Sequence, residues 1–285
     1  MAFRHWIRGG QDARPPGSRA VVIALIALGV FVLIALLADV LAPQDPSVQD
    51  LAARNRGPSG QYLLGADLFG RDVLSRLLVG IRISLLAVVI AFGVAVVIGV
   101  PIGLLSGYFG GVLDGILSRL NDAIIAFPGL ILALAIVSVA GPGLVNSMVA
   151  IGIVLSPRLY RLARVESAAV ARTTFVEAAR ADGCSPWMII RRHVLPNVRG
   201  PLLVQGSFLM CVIVMAEAGL SFLGLGVQPP TPSLGSMLRE SFSQLSDSAF
   251  QIFPPAILVV VLIYIFTIVG DGLQDASQTK SRTAT

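Results

Sequence analysis

Residues 83–113 read ISLLAVVIAFGVAVVIGVPIGLLSGYFGGVL, 31 consecutive positions without a charged side chain. A helix crosses a bilayer core with about 20 predominantly apolar residues, because lipid offers no partner for an unpaired backbone group. This stretch is long enough to do so. Four further uncharged windows lie along the chain: Val21 to Ala38 (18 residues), Ala123 to Pro157 (35), Gly200 to Ala216 (17) and Ser248 to Gly270 (23). Of the 285 residues, 55% are hydrophobic and 13% charged, against roughly 45–50% and 25% in an ordinary soluble domain. That balance excludes disorder and argues against a soluble globule. The net charge of +5 comes from arginines that avoid the apolar runs, which makes nucleic acid a poor partner.

The window 123–157 is too long for one helix. Gly141-Pro142-Gly143 falls near its middle, where proline removes a donor and glycine permits a tight turn, so it divides into two spans. The reading is an all-α polytopic membrane protein with six transmembrane helices at 21–41, 84–106, 123–140, 144–163, 202–224 and 253–270. Residues 1–20 and 271–285 are tails, 42–83 an extracytoplasmic segment, 84–270 the core, and 164–199 its main soluble loop. The first span exceeds the roughly 7–15 residues of a signal-peptide core, so it is expected to be a retained anchor.

Orientation follows the positive charges. With the N-terminus inside, 15 of the 21 Lys and Arg fall on cytoplasmic segments, eight of them from Arg158 to Arg199, and both termini are cytoplasmic. Cys184 then lies in the cytosolic loop and Cys211 in a span, so no disulfide joins them.

Several features of the spans stand out. Ala87, Ala91, Ala95, Gly99, Gly103 and Gly107 recur every fourth residue, baring one helix face for close helix packing; Pro101 is expected to kink that helix. Glu217 is an ionisable group within an apolar span and must face protein or water. With Ser221 it is a candidate gate or pathway pair, or else a hydrogen-bonded support for the turn at 221–230. Asp114, Arg119 and Asp122 precede the third span, with Arg119 spaced to pair with Asp122.

The loop 164–199 reads as two short helices. Thr174 to Glu177 has capping-box spacing, Asp182-Gly183 ends that helix, Ser185-Pro186 starts the next, and Leu195-Pro196 closes it. Phe175, Val176, Met188 and Ile189 supply apolar contacts. Such a knob suits a cytosolic partner; a basic loop lying on anionic membrane lipid is the competing description.

Glu177-Ala178-Ala179, Gly183 and His193-Val194-Leu195-Pro196-Asn197 resemble the EAA loop of permease subunits in ATP-driven (ABC) importers that use a separate binding protein. Leu64 to Arg76, Glu217 to Gly226 with Pro229-Pro230, Gly107 to Gly111 and Ala126 to Pro128 resemble the C-type subunit of the dipeptide, oligopeptide and nickel permeases. The likeness runs from about residue 60 to 276. It implies the type I importer permease fold with cytoplasmic coupling helices, in the plasma (inner) membrane. It also implies a homologous second permease, two ATPase subunits and an extracytoplasmic solute-binding protein. Glu177, Ala178, Ala179, Gly183, Leu195 and Pro196 would then couple to an ATPase. Arg71, Asp72, Arg76 and Arg82 are candidate contacts for the binding protein. ATP and Mg would be bound by the partner subunits, and this chain would hold no cofactor or metal. The sequence carries no GxxxxGK[ST] loop to cradle phosphates, in keeping with a subunit that is not itself an enzyme.

Two rivals fit less well. An intramembrane enzyme would want histidines within the spans, yet His5 and His193 fall on cytosolic segments, and no HExxH occurs. A proton-coupled secondary transporter is expected to carry more buried carboxylates and an internal repeat.

Overall fold

The computed structural model describes residues 18–246 and 248–282, with side chains described as far as Asp275. Most of the N-terminal tail, His5 included, and residues 283–285 lie outside the described residues. Within them every element is a helix, apart from one isolated bridge between Ala66 and Asp72. In chain order the principal helices are α1 (Ser18–Leu36), α2 (Val73–Phe109), α3 (Gly111–Ile125), α4 (Gly129–Ala140), α5 (Leu144–Val170), α6 (Thr174–Ala181), α7 (Pro186–Phe222), α8 (Leu234–Phe242) and α9 (Phe253–Arg282).

Among the described residues, four helices are long and apolar enough to cross a membrane: α1, α2, α7 and the helix that includes α9. A fifth span exists if α3 and α4 are taken together, although they meet at 89°. The straight third span expected at 123–140 is therefore corrected to a broken one. Its break falls at Ala126-Phe127-Pro128, where proline 128 cannot continue the ladder of α3. Helix α5 has 27 residues, but Arg158, Arg161 and Arg164 lower the apolarity of its second half. Among the described residues, four spans by length and composition, or five with the bent pair, thus stand against the expected six.

Helix α2 begins 11 residues before the expected position 84. Asp72 explains the early start: its carboxylate accepts from the Ser75 N–H at 2.8 Å and from the Ser75 hydroxyl at 2.6 Å, capping the first turn. The helix is continuous through Pro101. Its small-residue ladder lies against α5, with Ala87, Ala91 and Ala95 fully buried. A Cβ built on Gly103 would stand 2.5 Å from the Tyr160 carbonyl oxygen, and one on Gly99 equally close to that of Ser156. From the other side, Gly152 would meet the Ala91 carbonyl at 2.6 Å. The two backbones are in contact along this seam. That is how helices gain van der Waals energy in lipid, where apolar burial alone does not draw them together.

Polar ties close both ends of the bundle. Where α2 ends, α3 begins and the second half of α5 passes, Asp114 is paired with Arg164, and the Tyr160 hydroxyl lies 2.8 and 3.0 Å from those of Ser106 and Ser118. Asp122 pairs with Arg161 at 3.0 Å rather than with Arg119, which corrects the i, i+3 pair expected from spacing. Arg119 points away and is exposed.

At the other end, Asp67 organises the turn before α2, accepting from the Phe69 and Arg71 N–H groups. Arg71 bridges Asp67 at 2.7 Å and Glu240 of α8 at 2.6 Å, and Arg76 joins Glu240 at 2.9 Å. Arg71, Asp72 and Arg76 are all buried. This bears on the four candidate contacts for a binding protein. Three of them hold α2 to α8 and to its own cap, and only Arg82, paired with Asp39 at 2.6 Å, keeps an open face. Sequence spacing does not reveal such a network, because Glu240 lies 169 residues from Arg71.

Candidate functional site

The connection between α5 and α7 is shorter than the expected 164–199. It comprises residues 171–185, with α6 in the middle. Its first turn departs from the capping box expected at Thr174. The residue preceding the helix is Thr173, and its hydroxyl donates to the Val170 carbonyl at 2.6 Å, closing the end of α5 instead of capping α6. Glu177 is thereby one position too late to reach back, and it stands exposed beside Ala178.

Gly183 has φ +76°, in the left-handed region that side chains other than glycine rarely adopt. It lets the chain reverse between α6 and α7. Ser185 then accepts from the Met188 N–H, with Pro186 in the first turn of α7, as expected.

Leu195-Pro196 does not close a helix. The chain passes from Pro186 to Phe222 without a break. A π-helical segment, Ile190–Val194, shifts the hydrogen-bond register, so that Pro196 sits in the first turn of the following α-helical stretch and its missing N–H leaves no gap. The second helix of the loop is thus the N-terminal part of a long α7.

The elbow has a firm inside and an apolar outside. Val176, Ala179, Ile189, Ile190, Val194 and Val198 are buried together with Leu104 of α2 and Ala163 of α5. The Arg180 guanidinium lies 5.0 Å from the centre of the Tyr108 ring and donates to its hydroxyl at 3.3 Å. Facing away from this cluster, Phe175, Met188 and Leu195 are exposed, and Trp187 is 67% exposed. The structure therefore divides the four expected apolar contacts, Val176 and Ile189 turning in and Phe175 and Met188 turning out. Trp187 was missed at the sequence level; alone directly after Pro186 in the first turn of α7, it gives no periodic signal. Glu177, Ala178, Gly183, Leu195 and Pro196 share the open side, whereas Ala179 is buried.

Glu217 is 1% exposed on α7. Its carboxylate accepts from the Ser221 hydroxyl at 2.8 Å and from Ser84 of α2 at 3.3 Å. The turn after α7 folds tightly over Ser221: a Cβ on Gly235 would lie 2.7 Å from the Ser221 Cβ. The Leu225 carbonyl accepts from Ser147 of α5 at 2.6 Å. Glu217 and Ser221 thus sit where α2, α7 and the start of α8 converge. Glu217→Gln keeps acceptor capacity for Ser221 and is expected to retain folding and transport. Glu217→Leu strands two buried hydroxyls and is expected to cost about 1–3 kcal/mol. Thermal unfolding of the two purified variants checks this; equal loss in both would assign the effect to charge.

Long apolar helices packed backbone to backbone thus carry, at one end, an elbow with a buried inner face and an exposed apolar rim. Residues 99–283 match the family described as binding-protein-dependent transport system inner membrane component, and residues 17–58 match the N-terminal TM domain of oligopeptide transport permease C. The chain belongs to this family of inner-membrane permease components of binding-protein-dependent importers. It is 38% identical over 260 residues to the glutathione transport system permease protein GsiD of Pectobacterium atrosepticum, covering 90% of this chain and 86% of that one. GsiD of Salmonella typhimurium is 40% identical over 262 residues, with the same coverage. Two inward-facing structures of the MetNI methionine ABC transporter share the fold. Their TM-scores are 0.57 and 0.58 at 22% and 21% identity, covering 69% and 70% of this chain and 94% and 95% of theirs.

Proposed function

We propose that this chain forms half of the translocation pathway of an ATP-driven importer of peptides, pairing with a homologous permease and driven through the elbow by an ATPase subunit. The observation that carries the coupling role is the two-sided construction of the elbow. Its inner face is buried against α2 and α5, while Phe175, Trp187, Met188 and Leu195 form an exposed apolar rim beside Glu177 and Ala178. An apolar patch on a rigid mount marks a protein contact. Two ATPase subunits bind ATP and Mg, and an extracytoplasmic binding protein delivers the solute at the opposite end, where Arg82 is the open residue. The chain itself is not an enzyme.

In this reading α5 is a span, both termini are cytoplasmic, and the elbow lies on the side that holds 15 of the 21 positive residues. The GsiD relatives, named for glutathione transport, direct the choice of solute towards small peptides. Reconstitution of the complete complex tests it: ATP-dependent uptake of glutathione or a dipeptide, lost when the ATPase subunits are omitted, is the expected result. Uptake that persists without them would indicate a secondary carrier.

A further inference from the structure

Helix α5 carries three arginines in its second half, and they are not equivalent. Arg161 is paired with Asp122 and Arg164 with Asp114. Arg158 is exposed and, among the described residues, no carboxylate pairs with it. It also lies further along α5 from the elbow. Twelve residues separate it from the end of α5 at Val170, about 18 Å at 1.5 Å per residue. The side chain lines a cavity of about 200 Å³ between α4, α5 and α7, whose other walls include Leu130, Ala133, Ile151, Leu155, Val212 and Ala216. Arg158 is thus the one charged residue on the lining of an otherwise apolar chamber.

The helix is adapted at this point. Pro157 has no N–H to give the Ile153 carbonyl, and the Ser156 hydroxyl supplies the missing donor at 2.8 Å. Helical side chains lean towards the N-terminus of their helix. For α5 that direction leads away from the elbow and into the bundle, towards Ile151 and Leu155. Arg158 is therefore directed towards Ile151 and Leu155 rather than towards the elbow. An arginine in such a place is costly unless it meets water or a counter-charge, which makes it a functional site by default.

From this geometry we infer that Arg158 is a substrate-contacting residue of the pathway, receiving the carboxylate of a peptide as it passes between α4, α5 and α7. The guanidinium fork matches a carboxylate in a bidentate pair, and the apolar walls suit the rest of a small peptide. This rests on the peptide-importer reading above. A carboxylate could also come from an acidic side chain of the second permease, and the test separates the two.

The complete reconstituted complex, carrying wild-type chain, Arg158→Gln or Arg158→Lys, is assayed for ATP-dependent uptake of a dipeptide and of the same dipeptide as its C-terminal amide. Each variant is compared with wild type on the same solute, so that the preference of the binding protein cancels. For Arg158→Gln, uptake of the free acid is expected to fall at least about tenfold, the scale of a lost charge-assisted hydrogen bond. Uptake of the amide should change less than about twofold, and Arg158→Lys, which keeps the charge but not the fork, should lose less uptake of the acid than Arg158→Gln. In parallel, Arg158→Cys in a chain with Cys184 and Cys211 changed to serine should react with a water-soluble thiol reagent, and more slowly during dipeptide transport. Equal loss on acid and amide, no loss on either, loss of the assembled complex in Arg158→Gln, or thiol labelling unchanged by transport would overturn the assignment. A wild-type complex that imports neither solute would instead count against the peptide-importer reading.

Discussion

Replacing Gly103 with leucine is expected to prevent the subunit from folding stably, with a cost of about 3 kcal/mol or more. The reason is the seam between α2 and α5. Even a Cβ at this position would stand 2.5 Å from the Tyr160 carbonyl and 2.8 Å from the Ala163 Cβ, and neither neighbour can swing aside, since one is backbone and the other a methyl on a packed helix. Separating the helices to make room would also pull apart the contacts of Gly99, Gly107 and Gly152. Gly93 lies on the same helix with nothing within 4 Å of its would-be Cβ, so Gly93→Ala is the matched control, with a change within about 0.5 kcal/mol. Thermal aggregation of detergent-solubilised protein measures both. A Gly103→Leu subunit with the midpoint of wild type would mean that the seam is loose.

Gly183→Pro is expected to abolish transport while leaving the subunit in the membrane. Proline holds φ near −65°, and the native value is +76°, so the reversal between α6 and α7 cannot form. The buried cluster of Val176, Ile189 and Val194 depends on that reversal, and with it the placing of Phe175 and Trp187. Glu177→Lys is expected to do the same by inverting a charge on the exposed face without disturbing the fold. ATP-dependent uptake, read against the amount of subunit in the membrane, separates lost coupling from lost insertion. Uptake at the wild-type rate in either variant would remove the elbow from the mechanism.

The fold was legible wherever one physical cause acted locally. Uncharged windows gave the long helices because bilayer thickness fixes the length of an apolar helix. The four-residue ladder gave the face of α2 that meets α5, since small side chains at helical spacing leave one side bare. Gly183 and Ser185-Pro186 were readable because each serves a backbone need of its own.

What escaped the sequence depended on partners far along the chain. Arg71 and Arg76 look like surface charges until Glu240 is brought beside them. Arg119 and Asp122 have the right spacing, but Arg161 competes for the carboxylate from another helix. Leu195-Pro196 reads as a terminator only if the hydrogen-bond register is constant, and the π turn at Ile190–Val194 shifts it. At the candidate site, motif residues marked the elbow, while its apolar rim emerged only when burial separated Phe175 and Met188 from Val176 and Ile189.

The central claim is that the elbow is the mechanical contact with the motor, and site-directed cross-linking tests it most directly. A single cysteine at position 177 or 178, in a chain with Cys184 and Cys211 replaced, is joined to the ATPase subunits in intact membranes. Cross-links to an ATPase subunit, with labelling of the same cysteine from the cytoplasmic side only, are the expected result. Labelling from the opposite face, or an assembled complex in which neither position reaches an ATPase, would contradict it.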